Sequence, residues 1–200
     1  MRAMTKYDSI KQAFLERGVL SLHDECCRGV PRVYFSRLVR EGVISRIGSG
    51  VYSCATYSFS EHIGYVEAQR VVPDGVFCLF SALKFHNLTL ENPHRLHMAV
   101  SRGTYVPRNE LPVDFYRYSE SAFEYGIEEH QTKDGRVRVY SVGKTLADCF
   151  KFRNVVGLDV FIAAVRDARE KNSIDYNTLW TAINVCRVAK AIRPYLEGML

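Results

Sequence analysis

The chain has 200 residues, of which 47% are hydrophobic and 24% are charged, and its net charge is +5. A chain of this size and composition can bury a sizeable core in one large domain, or in one small and one medium domain, which argues against a disordered protein. No run approaches the roughly 18 apolar residues that span a bilayer, and residues 1–7 lack the apolar core of a signal peptide, so we expect a cytoplasmic protein.

The six cysteines are scattered along the chain and form neither a Cys-x-x-Cys pair nor the dense pattern of a secreted disulfide framework. They are Cys26, Cys27, Cys54, Cys78, Cys149 and Cys186. We therefore expect reduced cysteines with mostly structural roles.

The positive charge is unevenly distributed. Residues 1–60 contain nine lysines and arginines against five acidic residues, whereas residues 61–200 contain eighteen against seventeen. The basic character therefore belongs to the N-terminal segment, which is where an electrostatic footprint for nucleic acid is expected.

Two short helices are predicted at the N-terminus. The first covers residues 7–17, whose apolar side chains recur at helical spacing, and Gly18 ends it in the manner of a C-terminal cap. The second begins at Ser21, which can act as its N-cap, and runs through Cys27 before Gly29.

A third helix and a hairpin follow. Pro31 suits the first turn of a helix that Gly42 ends, and two β-prone runs at 43–47 and 51–53 are joined by a Gly-Ser-Gly turn. The inward face of the third helix is predicted to consist of Val33, Leu38 and Val39. The order helix, helix, helix, hairpin is that of a winged helix-turn-helix, predicted here for residues 1–57.

Residues 58–200 predict a larger mixed α/β domain that ends in a helical segment, so the chain as a whole is assigned to the α+β class. The predicted elements are helices over 60–70 and 81–86, strands over 76–79, 96–100 and 113–118, a hairpin of 126–131 with 136–142, and helices over 145–153, 158–171 and 176–196 with a break near Pro194.

The third helix and the hairpin carry the candidate function. From Arg28 to Arg46 there are five arginines and one acid, Glu41. Arginine grips guanine edges bidentately and also binds phosphate, which suits a helix in the major groove. The predicted DNA-binding residues are Arg28, Arg32, Tyr34, Ser36, Arg37, Arg40, Arg46 and Ser49. Either Tyr34 or Phe35 is expected to contact a thymine methyl, with the other in the core. The alternative is a helical packing module whose arginines form a solvated face.

Four segments resemble a known family. Residues 30–52, from Val-Pro-Arg-Val-Tyr to Gly-Val-Tyr, are similar to the N-terminal winged helix of AbiEi-family antitoxins. Residues 80–88, 98–100 and 144–153 resemble blocks of that family's C-terminal domain. The resemblance covers most of the chain.

The resemblance implies a type IV toxin–antitoxin role. The winged helix would bind double-stranded DNA at its own promoter and repress the operon, while the C-terminal domain would counter a nucleotidyltransferase-like toxin, with or without a stable complex. The alternative is a stand-alone transcriptional regulator whose C-terminal domain dimerises or senses a ligand. A nuclease-like enzyme is a weaker third hypothesis.

Catalytic and metal-binding patterns are incomplete. Residues 142–145 resemble the end of a phosphate-binding loop but lack its upstream glycine, so Gly143 is interpreted as a turn residue and Thr145 as a helix cap. Restriction-type nuclease sites need an acid two positions before a lysine, and no acid of this chain stands there. Asp148 is interpreted as a helix-start residue bonded to backbone or to Arg153. The histidines considered for zinc are His86, His94 and His97. We expect no enzyme activity, no metal and no cofactor.

Overall fold

The computed structural model describes residues 5–106 and 111–199 and has a mixed α+β fold, as predicted. The described residues divide into two compact units. The first is drawn from Met1–Pro73, Tyr105–Leu111 and Gln131–Val137, and the second from Asp74–Thr104, Pro112–His130 and Arg138–Leu200. Across the described ranges, none of the helices combines the length and the apolar character that crossing a bilayer requires.

The first unit is built on a three-stranded antiparallel sheet with the order β1-β3-β2. Its elements are α1 (Lys6–Arg17), β1 (Val19–Ser21), a 3₁₀ turn (Glu25–Cys27), α2 (Arg32–Arg40), β2 (Ile44–Gly48), β3 (Val51–Cys54) and α3 (Ile63–Val71). Val19 of β1 pairs with Ser53 of β3, and Ile44 of β2 pairs with Cys54. The predicted first and third helices and the predicted hairpin are therefore present.

The ends of α1 follow from local chemistry. Thr5 and Asp8 form a reciprocal capping box that satisfies backbone N–H groups at the start of the helix. Gly18 ends it with φ +73, and its N–H donates to the carbonyl of Phe14 at 2.9 Å. A Cβ at Gly18 would lie 2.8 Å from the ring of Tyr57, so both the conformation and the space at this position require glycine.

The predicted second helix is wrong. Ser21 ends strand β1 instead of capping a helix, because Val19 and Leu20 are buried against the sheet and pair with β3. The Asp24 carboxylate accepts a hydrogen bond from the Ser21 N–H at 2.9 Å and binds Arg70 at the same distance. Only a single 3₁₀ turn at Glu25–Cys27 remains of that helix.

The predicted inward face of α2 is also wrong at two of its three positions. Leu38 is fully buried, but Val33 is 64% exposed and Val39 is 40% exposed. Phe35, which is 1% exposed, takes the second inward position, because residues three apart on a helix share a face. The core that α2 joins contains Ile10, Phe14, Leu20, Cys27, Phe35, Leu38, Ile44 and Cys54.

The boundary between the compact units differs from the predicted one at residue 57. Helix α3 packs on the three-stranded sheet, and a Cβ at Gly48 would lie 2.7 Å from a methyl carbon of Val71. The Asp134 carboxylate also accepts a hydrogen bond from the Ser60 N–H at 3.0 Å. Residues 58–73 and the segment Gln131–Val137 therefore group with the N-terminal elements.

The second unit has a five-stranded mixed sheet with the order β6-β5-β4-β8-β7. Its elements are β4 (Val76–Phe77), α4 (Leu79–Phe85), β5 (Leu96–Ser101), β6 (Val113–Tyr118), α5 (Glu120–Glu124), β7 (Ile127–Gln131), β8 (Arg136–Tyr140), α6 (Val142–Lys151), α7 (Arg153–Val156), α8 (Leu158–Glu170), α9 (Tyr176–Val185) and α10 (Ala189–Glu197). The end residues of β7 and β8 that fall within Gln131–Val137 group with the first unit. Strands β5 and β6 run parallel, as do β4 and β8, whereas β4 and β5 are antiparallel. Helix α5 was not predicted.

The predicted last helix is two helices. The chain breaks at Arg187, which has φ +59, and not at Pro194, which lies inside α10. The turn allows both Ile183, on α9, and Ile192, on α10, to be buried. A single straight helix would not bury both of these isoleucines. The need to bury both side chains therefore accounts for the position of the break.

Helix α6 carries a buried ion pair between Lys144 and Asp148, both of which have no exposed side-chain surface. The Cys186 thiol donates to the second Asp148 oxygen at 3.1 Å, and burial raises the pKa of this thiol to about 12, which keeps it protonated. The ammonium group of Lys144 also lies 4.1 Å from the centroid of the Tyr140 ring. Asp148 is therefore a mid-helix core residue, and the predicted helix-start role and bond to Arg153 are wrong.

The turn and cap predicted at the start of α6 are wrong as well. Ser141 caps the helix by accepting from the Lys144 N–H, whereas the Thr145 hydroxyl donates to the carbonyl of Tyr140 at 3.1 Å. Gly143 lies within the helix, and a Cβ there would be 2.8 Å from the backbone nitrogen of Leu179. Glycine at this position permits the close approach of α6 and α9.

Removing one member of the buried ion pair should strongly destabilise the chain. We expect Asp148→Ala to lower the free energy of unfolding by about 3–5 kcal/mol, because Lys144 is then left as an uncompensated buried charge. The double variant Lys144→Met with Asp148→Leu should lose much less. Urea unfolding of the full chain measures both.

The matched control is the exposed pair of Arg95 and Asp114, whose Nε and Oδ1 atoms are 2.7 Å apart. Arg95→Ala should cost less than about 1 kcal/mol, because solvent screens exposed pairs. A loss of similar size for Arg95→Ala and Asp148→Ala would contradict the argument.

Candidate nucleic-acid interface

A groove of about 470 Å³ runs beside α2 in the first unit. It is lined by Leu22, His23, Cys27, Val30, Arg32, Phe35, Ser36, Arg46, Ser49, Gly50 and Tyr52. Four of the predicted DNA-binding residues are among them: Arg32 and Ser36 from α2, Arg46 from β2, and Ser49 from the turn of the hairpin. All four are exposed. The fold therefore brings together helix and hairpin residues that are separated in the sequence.

The hairpin side of the groove has an irregular register. Arg46 pairs with Tyr52 and Gly48 pairs with Val51, so the alignment of β2 with β3 shifts between Arg46 and Gly48. The Nε atom of Arg46 donates to the carbonyl of Gly48 at 3.1 Å. This bond holds the arginine along its own strand, at the point where the register shifts.

A second group of residues, which we call the Arg37 cluster, consists of Tyr7, Arg37 and Glu41. The Arg37 Nε donates to Glu41 at 2.8 Å, and its guanidinium lies 4.4 Å from the centroid of the Tyr7 ring. The Tyr7 hydroxyl donates to the other Glu41 oxygen. The cluster therefore ties α1 to the C-terminal end of α2 and places an acid against one of the predicted DNA-binding arginines.

The electrostatics of the Arg37 cluster follow from these bonds. Hydrogen bonds from Tyr7 and Arg37 lower the pKa of Glu41, and the bond to Glu41 raises the pKa of Arg37. Burial and the hydrogen bond to Glu41 raise the pKa of Tyr7. Sequence reasoning missed Tyr7, although the i,i+4 spacing of Arg37 and Glu41 could have indicated their ion pair.

The other predicted residues do not line the groove. Arg28 and Arg40 are exposed, and within the described part of the chain no hydrogen bond or ion pair engages the guanidinium groups of Arg28, Arg32 or Arg40. Tyr34 is half-buried, with its ring 5.5 Å from that of Tyr7. Phe35 is the core member of the Tyr34–Phe35 pair.

The candidate zinc histidines lie in different surroundings. The Nε2 atom of His86 is 2.7 Å from the carbonyl oxygen of Tyr140, His97 is buried on β5, and burial lowers the pKa of both rings. His94 is exposed. Among the residues that the structure describes, no three His, Cys, Asp or Glu side chains are grouped as metal ligands.

No model of a known protein family matches the chain, and no curated protein is similar to it in sequence. The resemblance to AbiEi-family antitoxins consequently stays a prediction.

The Glu41 carboxyl should show a pH-dependent role. Because its pKa in the folded chain lies below the ordinary 4.5, its contribution to stability is complete above that value and is lost as the pH falls through the lowered pKa. Tyr7→Phe removes one hydrogen bond, so we expect the pKa of Glu41 to rise toward 4.5 and the acid-induced loss of stability to shrink. Carboxyl-carbon NMR titration and urea unfolding at neutral and acid pH measure these two effects.

Tyr34→Phe is the matched control, because it keeps the ring that packs on Tyr7 and leaves the bonds to Glu41 in place. Its Glu41 titration should match that of the parent protein. An ordinary Glu41 pKa in the parent itself would show that the cluster does not form in solution.

Proposed function

We propose that the chain is a sequence-specific double-stranded DNA-binding protein in which α2 enters the major groove and the β2–β3 hairpin contacts the DNA backbone. The observation that carries the proposal is the groove where Arg32 and Ser36 on α2 meet Arg46 and Ser49 on the hairpin. Helix residues of this kind contact base edges, and hairpin residues contact phosphate and sugar.

The order of the elements supports a winged helix-turn-helix. Helix α1, strand β1, the 3₁₀ turn, helix α2 and the β2–β3 hairpin follow one another, and β1 pairs with β3. In this interpretation the 3₁₀ turn at Glu25–Cys27 takes the place of the second helix, α2 is the recognition helix and the hairpin is the wing.

The arginines differ in their expected roles. Arg32 and Arg40 are exposed and unpaired within the described residues, so they are available to phosphate or to a guanine edge. Because Glu41 compensates the charge of Arg37, phosphate attracts Arg37 less strongly. Nε of Arg37 is bonded to Glu41, and the two terminal nitrogens remain for a bidentate contact with a base.

Binding to DNA should depend strongly on salt. Three to five phosphate contacts, at about −0.9 each, predict a log–log slope of affinity against salt of about −2.7 to −4.5 for each bound molecule. Arg46→Ala should weaken binding to the promoter of the protein's own gene and to random duplexes by similar factors. It should also flatten the salt slope by about one unit. Fluorescence anisotropy on both duplexes measures these values.

Arg166→Ala is the control variant, because Arg166 is an exposed arginine on α8, outside the proposed interface. Its slope and affinity should equal those of the parent protein. An affinity that does not change with salt would count against the proposal.

We further propose that the chain is the antitoxin and autorepressor of a type IV toxin–antitoxin operon, and has no catalytic role. This part rests on the resemblance of residues 30–52, 80–88, 98–100 and 144–153 to AbiEi-family antitoxins. The candidate partner is a nucleotidyltransferase-like toxin encoded beside the gene.

Co-expression tests the antitoxin role. The full chain should restore growth to cells that express the adjacent nucleotidyltransferase-like protein. Arg46→Ala should keep this effect while losing promoter affinity, because the two roles are assigned to different parts of the chain. Failure of the folded parent chain to restore growth, together with retained promoter binding, would favour the stand-alone regulator.

A further inference from the structure

Val33 is the most exposed valine on the proposed recognition helix. Its side chain is 64% exposed, although the apolar pattern of the sequence predicted an inward position. It is the second residue of α2, in the first turn after Pro31. In helix-turn-helix proteins the N-terminal residues of the recognition helix contact base edges.

The residues around Val33 form one face of α2. Ser36, Arg37 and Arg40 follow it at spacings of three, four and seven residues, so all four side chains lie on the same side of the helix. All of them are exposed. Val33 is thus the apolar member of a face that is otherwise polar and cationic. A single exposed valine is ordinary on a protein surface, but this one lies within the surface proposed to meet DNA.

The chemistry of valine restricts what it can recognise. Valine has no hydrogen-bonding atom in its side chain, so it cannot distinguish bases by donor and acceptor pattern. Its branched side chain has one strongly preferred rotamer in a helix, so it presents its methyl groups in a fixed position. In the major groove, thymine offers a C5-methyl group as an apolar feature beside its O4 acceptor.

We infer that Val33 is a specificity-determining residue that contacts the C5-methyl group of a thymine in the bound duplex. The inference rests on the proposed DNA-binding function and adds the class of base that this position selects. The sequence predicts an aromatic residue, Tyr34 or Phe35, at the thymine contact. Phe35 is buried in the core and Tyr34 packs on Tyr7, which leaves Val33 as the exposed apolar side chain in this turn.

The test replaces single thymines by deoxyuridine, which lacks only the methyl group. The full chain is first used to select its preferred duplex from a random library. Each thymine of that duplex is then replaced in turn, and affinity is measured by anisotropy. For the parent protein, at least one thymine position of that duplex should lose about fourfold in affinity on replacement, the value of one buried methyl group.

Variants at residue 33 connect this loss to the valine. In Val33→Ala the affinities for the thymine and deoxyuridine duplexes should become equal within error. Val33→Ile retains the branched shape and should keep the difference. Val39→Ala is the matched control, because Val39 is also an exposed valine of α2 but lies six residues from Val33, so the two side chains point to different sides of the helix. It should behave like the parent protein.

The outcomes separate this inference from the proposed function. A parent protein that selects no duplex and does not bind DNA overturns both. Selective binding with no methyl-dependent thymine, or with a thymine effect that persists in Val33→Ala, overturns the role of Val33 and leaves the DNA-binding proposal standing. Equal weakening by Val33→Ala on thymine, deoxyuridine and random duplexes would also overturn it, because that pattern indicates a structural effect.

Discussion

The orientation of α2 depends on the burial of one aromatic side chain. Phe35 lies 6.2 Å from the ring of Phe14 on α1 and 5.4 Å from the ring of Tyr52 on β3, measured between centroids. Because these contacts join α1, α2 and the β2–β3 hairpin, they set the position of α2 beside the hairpin. They also set the rotation of α2 about its own axis. The rotation that buries Phe35 and Leu38 also turns Val33 outward and presents Arg32 and Ser36 to the groove.

In the first unit, the ion pair of one arginine matters as much as the number of arginines. The run from Arg28 to Arg46 has five arginines against one acid, yet that acid lies against Arg37 and is also bound by Tyr7. The pairing gives α2 two kinds of arginine. Arg37 is held in a fixed geometry with its charge compensated, whereas Arg32 and Arg40 have no ion-pair partner among the described residues. A fixed arginine suits recognition of a base, and an uncompensated one suits attraction to phosphate.

In the second unit, a motif that resembles a functional site belongs to the buried core. Lys144 and Asp148 belong to a block that suggests phosphate binding or catalysis, but both are fully buried and bonded to each other. The thiol of Cys186 satisfies the second oxygen of the carboxylate. A buried ion pair contributes little net stability once its desolvation is counted. The Cys186 bond to Asp148 does, however, link α6 to the turn after α9. Removing one partner of the ion pair would leave a charge without compensation.

The sequence by itself determined the α+β class, the ends of α1 and α2, the hairpin that follows them and the concentration of basic residues near the N-terminus. These features follow from local chemistry: the capping pair of Thr5 and Asp8, the turn at Gly18, the Pro31 start of α2 and the count of charges. The tertiary structure alone decided that residues 19–21 form a strand, that Val33 faces outward and that Tyr7 meets Arg37 and Glu41. Each of these outcomes depends on residues from distant elements competing for the same buried space or the same charge, and neither periodicity nor spacing within one segment contains that information.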